Sequence, residues 1–279
     1  MQIFKFKQEL SHSLDTIRKT GKRIGFVPTM GAIHRGHISL VQRSKSENEF
    51  TVTSIFVNPT QFNDKNDFQN YPHTMDTDSE MLEKMGCDFL FCPSVEEMYP
   101  EPDKRIFDFG HLDKIMEGKH RPGHFNGVAQ IVTKLFEIIK PDNAYFGEKD
   151  FQQLVIIKNL VKNLQLLVNI VSCGIVREPN GLAMSSRNTL LNNDERKNAV
   201  LISQILFAAQ KLKNEKNIHE LKKWVVDQMN KNHYLKVEYF DIVDDTELKP
   251  INDWSDPKQK IGCVAVKVGK VRLIDNIRF

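Results

Sequence analysis

The stretch PTMGAIHRGH, Pro28 to His37, carries two imidazoles and two glycines between an apolar run and a helical pattern. Gly31 permits a tight turn, Gly36 lets a backbone or a ligand come close, and His37 falls in the first turn of the helix that follows. The open N–H groups and dipole of a helix start favour an anion, and N–H donors on His34 and His37 would add hydrogen bonds to a phosphate as charge builds on it. Two other readings stay open on spacing alone. H-x-x-H is also a zinc pair, although no nearby Cys or Glu completes one, and two surface histidines in a loop would look the same.

Three further segments have chemistry to offer. VNPTQF, 57–62, places Asn58 and Gln61 at the end of an apolar run, where neutral amides can meet a hydroxyl or carboxylate. Ordinary turn chemistry accounts for Asn58 and Pro59 equally well. FGEKDFQQ, 146–153, sets Lys149 before a helical pattern, where its charge suits a transferring phosphoryl group and Asp150 suits a ribose hydroxyl. The same residues also read as a helix cap beside a solvated lysine. REPNGLAMSSRN, 177–188, combines Gly181 with Ser185, Ser186 and Arg187, either as a mobile anion-binding loop or as turn and cap material.

Such loops need elements to hold them. Over the first 175 residues, strand-like runs (Ile24 to Val27, Thr51 to Val57, DFLFCP, NAYFG, LVNIVSCGIV) alternate with helical patterns (His37 to Lys45, DTDSEMLEKMG, GVAQIVTKLFEIIK, FQQLVIIKNLVKNL). That alternation is the βαβ signature, and the continuous apolar runs predict a mostly parallel sheet covered on both faces. Ligands of such sheets bind beyond the carboxyl ends of the strands, and three of the four segments follow strands. Past residue 188, two helical stretches, Asp194 to Leu212 and Ile218 to Met229, precede strand patterns at KVEYFDIV and IGCVAVKV, a smaller α/β unit.

Composition narrows the classes. The 279 residues are 40% hydrophobic and 27% charged, with net charge +3 and no basic blocks, so neither disorder nor a nucleic-acid partner is expected. No apolar run reaches the roughly 18 residues of a membrane helix. The start, MQIFKFKQEL, has no apolar signal region, which predicts a cytoplasmic protein. Cys87, Cys92, Cys173 and Cys263 are scattered without a C-x-x-C pair, the pattern of reduced, packed thiols.

Taken in order, PTMGAIHRGH, SIFVNPTQF, KPDNAYFGEKDFQQL and REPNGLAMSSRN resemble the pantoate-β-alanine ligase (pantothenate synthetase) family, as do YPHTMDTDSEMLEKMGCDFLFCPSVEEMYP, RPGHFNGV and VRLIDNI. The likeness covers nearly the whole chain. It implies a Rossmann-like nucleotidyltransferase fold, α/β, with residues 1–176 binding ATP and pantoate and residues 177–279 forming a smaller C-terminal α/β lid. It further implies that His34-Arg35-Gly36-His37 and Met184-Ser185-Ser186-Arg187 embrace ATP, that Lys149 contacts its phosphates, and that Gly147 and Asp150 hold the adenosine. Gln61 and Gln153 would take pantoate, with Met30 lining the ATP site and Asn58 the pantoate site.

The implied reaction has two steps: pantoate attacks the α-phosphate of ATP, releasing pyrophosphate, and β-alanine then attacks the pantoyl adenylate, releasing AMP. Magnesium (Mg2+) would ride on the triphosphate with no protein ligand assigned, and the assembly would be a homodimer without membrane or nucleic-acid partners. Two positions depart from the family pattern: His73 follows Tyr71-Pro72 where arginine is usual, and Asn126 follows His124-Phe125 where arginine is common. A class I aminoacyl-tRNA synthetase shares adenylate chemistry, but the 91 residues after Asn188 hold no basic stripe for tRNA. A nucleotide sensor of the same fold would need fewer donor groups than His34, His37, Lys149 and Arg187 supply.

Overall fold

A computed structural model describes residues 1–63, 68–69 and 71–279. The first half winds through β1 (Gln2–Phe4), α1 (Lys7–Arg18), β2 (Ile24–Thr29), α2 (Arg35–Glu47), β3 (Phe50–Ile55), α3 (Met75–Lys84) and β4 (Phe89–Phe91). After two short helical turns come α4 (His124–Ile139), β5 (Asn143–Gly147), α5 (Phe151–Asn163) and β6 (Asn169–Cys173). The six strands form one sheet in the order β1-β4-β3-β2-β5-β6, every neighbouring pair parallel.

From β2 the chain steps outward through β3 to β4, then crosses back to place β5 on the other side of β2. The direction of winding therefore reverses between β2 and β5, and at such a point the loops diverge and leave a crevice. Ile24, Phe26 and Val27 of β2 are fully buried because helices cover both faces of the sheet centre. α4 is apolar nearly all round, burying Phe125, Val128, Ala129, Ile131, Val132, Leu135, Phe136 and Ile139.

The second half contains α6 (Asn193–Lys211), α7 (Ile218–Asn230) and an antiparallel meander of β7 (Leu235–Asp244), β8 (Lys260–Val268) and β9 (Val271–Arg278). Both helices start at capping boxes, Asn192 with Glu195 and Asn217 with Glu220, which satisfy the open N–H groups of the first turn. Val243, Leu248, Ile261 and Cys263 join the apolar cluster of the large sheet, so contact between the two halves is partly core-like. Glu117 adds a bidentate pair with Arg272 at 2.7 and 2.8 Å and accepts from the Tyr239 hydroxyl at 2.7 Å.

Several details differ from the sequence reading. β1, α1 and β9 add elements that the apolar runs do not announce. β3 stops at Ile55 and β6 spans only Asn169–Cys173, leaving Leu167 99% exposed. β6 is an edge strand whose residues from Ile170 onward are only partly covered, so two-sided coverage holds at the centre of the sheet and lapses at this edge.

Candidate active site

The loop between β2 and α2 turns sharply through left-handed backbone at Gly31 (φ +80°) and Ala32 (φ +48°). Asp78, in the first turn of α3 and 2% exposed, secures it: its two oxygens accept from Ala32 N at 2.8 Å and Ile33 N at 2.7 Å. Sequence reasoning passed over this aspartate, which lies far along the chain from the loop. A side chain at Gly31 would stand 3.1 Å from the same carboxylate, so glycine serves both the turn and this approach.

His34 is the N-cap of α2, its Nδ1 accepting from Gly36 N at 3.1 Å. That bond fixes the tautomer: Nδ1 carries the lone pair, and the proton sits on Nε2. The rings of His34 and His37 stack with centroids 4.0 Å apart. Burial, helped by the nearby Lys149 charge, lowers the pKa of His34 to about 4, and burial also holds His37 well below its ordinary value. The sequence expectation of two donating imidazoles is thereby refined. Both rings are neutral at pH 7, and His34 offers one N–H outward because its other nitrogen is spent inside the motif. Gly36 makes room for that ring, since a Cβ there would lie 2.8 Å from His34 Cε1.

Across the crevice, β5 ends at Gly147 and a tight turn, Glu148–Asp150, leads into α5. Lys149 has 18% of its side chain exposed and lies 3.5 Å from Asp150. Asp150 makes no capping bond to α5, so the helix-cap alternative finds neither its cap nor its solvated lysine. Asn276 of β9 donates to the main-chain oxygens of Glu148 and Lys149 at 2.8 and 3.1 Å, and so ties this turn to the small sheet.

Between these walls lies the turn Pro59–Gln61. Gln61 reaches Met30 Sδ at 2.9 Å, placing both side chains at the floor. Asn58 lines the crevice but commits its amide internally: it donates to Gly127 O at 3.0 Å and Gln61 Oε1 at 3.3 Å and accepts from the Tyr99 hydroxyl at 2.9 Å. Its local task is to shape the turn. Gln153 faces the same space from α5, beside Val128, Ile131 and Val132 of α4 and Phe146 of β5. Sequence reasoning missed this apolar wall, because a helix buried nearly all round gives no period to mark the crevice side.

The segment 177–188 closes the remaining side. It doubles back through an Arg177 to Ala183 bridge and a bond from Met184 N to Val176 O at 3.0 Å. Ser185 accepts from Arg187 N at 3.3 Å, Ser186 meets the Tyr71 hydroxyl at 3.1 Å, and the Arg187 guanidinium stands 5.8 Å from the Tyr71 ring. A Cβ at Gly36 would come within 3.8 Å of Met184 Cβ, so the histidine motif and the serine segment face each other. His34, His37, Lys149, Asp150, Gln61, Gln153 and Met184 to Arg187 therefore all line one cavity. Asn188, at the end of that segment, is tied back to Glu178 and Ala183.

A crevice of this composition at the carboxyl ends of β2 and β5 defines an α/β enzyme that works at its topological switch point. The chain belongs to the pantoate-beta-alanine ligase family, whose model matches residues 2–278. It is 54% identical over 280 positions to the pantothenate synthetase of Phocaeicola vulgatus, covering 100% of this chain and 99% of that one. Among solved structures, pantothenate synthetase from Thermus thermophilus superposes with a TM-score of 0.93 at 39% identity, covering 99% of both chains. A pantoate-beta-alanine ligase from Francisella tularensis, complexed with beta-gamma ATP and beta-alanine, gives 0.84 at 38% identity, covering 100% of this chain and 97% of that one. The chain is a ligase of this family, and its reaction is the one that forms pantothenate.

Proposed function

We propose that this crevice joins pantoate to β-alanine in two steps, through a pantoyl adenylate made from ATP. One observation carries the reading: donors suited to phosphate and an apolar, amide-flanked pocket share one continuous cavity. Pantoate has two methyl groups on one carbon, two hydroxyls and a carboxylate. Val128, Ile131, Val132 and Phe146 suit the methyls, and the amides of Gln61 and Gln153 suit the oxygens without placing a charge beside the carboxylate. Asn58 acts by holding the turn that presents Gln61.

In the first step a pantoate carboxylate oxygen attacks the α-phosphorus of ATP, and the bond to pyrophosphate breaks. Negative charge grows on the α-phosphate oxygens and on the departing group. His34 answers it with the Nε2–H that its capping bond leaves outward, His37 supports that ring from the stacked position, and the Lys149 ammonium supplies the full charge. Met30 and Met184 flank the nucleotide, Gly147 and Asp150 take the adenosine, and Ser185, Ser186 and Arg187 close on the phosphates. Residues 177–279 are the lid unit that carries this cover, with residues 1–176 as the base.

Among the described residues, Asp150 is the only carboxylate lining the cavity, and no group of three metal-binding side chains occurs. That donor set suits magnesium carried in on the triphosphate, held mainly by phosphate oxygens and water. In the second step the β-alanine amine, freed of its proton, attacks the acyl carbon and AMP leaves with one former pantoate oxygen. No described helix is long and apolar enough to cross a membrane. The reading includes a cytoplasmic homodimer. Pantoate labelled with oxygen-18 in its carboxylate tests the chemistry: one labelled oxygen must appear in AMP, and unlabelled AMP would rule out the adenylate.

A further inference from the structure

Within the motif RPGHFNGV, Val128 lines the pantoate pocket but His124 has no task in the reaction just described, yet this histidine is 5% exposed and borders a second cavity that shares Gln61, Lys149 and Gln153, among others, with the first. We propose that His124 is a positioning residue for Gln61, acting through the Nδ1–H that holds the Gln61 main-chain carbonyl. This rests on the reading of Gln61 as a pantoate contact.

His124 opens α4, directly after Gly123, whose φ of +82° turns the chain into the helix. Its Nδ1 lies 2.8 Å from Gln61 O, and a carbonyl can only accept, so this nitrogen bears the proton. Its Nε2 lies 3.2 Å from Arg121 Nη1, and a guanidinium can only donate, so this nitrogen bears the lone pair. The two contacts select one tautomer of the neutral ring. Burial, and next the Arg121 charge, lower the pKa to about 4, which keeps the ring neutral at pH 7.

One helical turn later, α4 lies against the same backbone. A Cβ at Gly127 would sit 2.4 Å from Thr60 O, and Gly127 O accepts from Asn58 at 3.0 Å. Gln61 is thus held on its main-chain side by His124, with Arg121 Nη2 donating to the same carbonyl at a longer 3.4 Å, while its amide extends to Met30 at the cavity floor. Rotation of the Gln61 peptide would swing that amide away from the pantoate pocket. The imidazole acts through another residue and does not itself touch the reacting atoms.

Two amide variants separate positioning from packing. Asparagine carries its NH2 on Cγ, where imidazole carries Nδ1, whereas glutamine carries its NH2 one bond farther out. His124→Gln should raise KM for pantoate on the order of 10-fold, with KM for ATP within about twofold and kcat within about threefold. His124→Asn should stay within about threefold of wild type in all three. Equal KM values for pantoate in the two variants, or a matching rise in KM for ATP, would overturn the role. Gln61→Ala measured in parallel must itself raise KM for pantoate. If it does not, the reading of Gln61 fails and the inference falls with it; if it does while both His124 variants match wild type, the positioning role alone fails. Nitrogen-15 NMR of wild-type protein at pH 7 checks the tautomer without a variant: Nδ1 protonated and Nε2 bare supports the role, and the reverse overturns it.

Discussion

Gly36→Ala separates the geometry of the site from the stability of the fold. The new Cβ would stand 2.8 Å from His34 Cε1 and 2.9 Å from Nδ1, about 0.6 Å inside the 3.4 Å at which ordinary contact begins. The ring must swing off the first turn of α2 and give up the 3.1 Å bond from Gly36 N. A lost N-cap costs about 1 kcal/mol, and alanine in place of glycine within a helix returns about as much, so net stability should change by no more than about 1 kcal/mol. Catalysis has no such compensation. The overlap sets a displacement of at least about 0.6 Å, and a misplacement of about 1 Å costs on the order of 100-fold in rate, so a loss approaching that size is expected. Single-turnover pyrophosphate release at saturating ATP and pantoate, read beside a urea melt, gives both quantities. In a His34→Ala background the same change should alter the rate less than about twofold, because the ring it displaces is gone. A Gly36→Ala enzyme within about threefold of wild type would refute the reasoning, as would an equal loss in both backgrounds, which would mean that Gly36 serves a ligand's approach.

Lys149→Ala should leave stability within about 0.5 kcal/mol, since the lysine's ion pair is to a half-exposed Asp150 at 3.5 Å, yet slow adenylate formation by about 100- to 1,000-fold; pre-steady-state pyrophosphate release within about threefold of wild type would remove it from the mechanism. Acid should destabilise the fold in a defined window. His34 and His124 refuse in the folded state, down to about pH 4, the proton that the unfolded chain takes up near 6.5, so their contribution is complete above about 6.5 and is lost as pH falls toward 4. For the buried His124 the loss by pH 5 is about 2 kcal/mol. Urea midpoints at pH 7 and pH 5 should therefore move closer together in His124→Asn than in wild type, and an unchanged gap would count against a neutral His124.

Much of this could be read from the chain because the chemistry is concentrated in short segments that follow strands. PTMGAIHRGH, VNPTQF and FGEKDFQQ announce themselves through glycines and polar residues at the ends of apolar runs, and the parallel sheet brings those ends together. What stayed hidden depends on contacts without a sequence period. Asp78 holds a loop 46 positions away, and His124 and Gly127 dock a turn more than 60 positions away. Nor could spacing reveal that His34 spends Nδ1 on its own helix, which decides the nitrogen left for a phosphate. α1 escaped notice because it buries only Leu10 and Leu14, too few for a clear stripe. β9 does alternate, with Val271 and Leu273 buried and Arg272 and Ile274 less so, but its charged residues interrupt the apolar run.

The most direct test of the account leaves β-alanine out. With ATP, magnesium and pantoate alone, the enzyme should release one equivalent of pyrophosphate per active site in a single burst and then stop, its adenylate waiting for the amine. Pyrophosphate that appears only once β-alanine is added would contradict the two-step reaction and the roles given to His34 and Lys149.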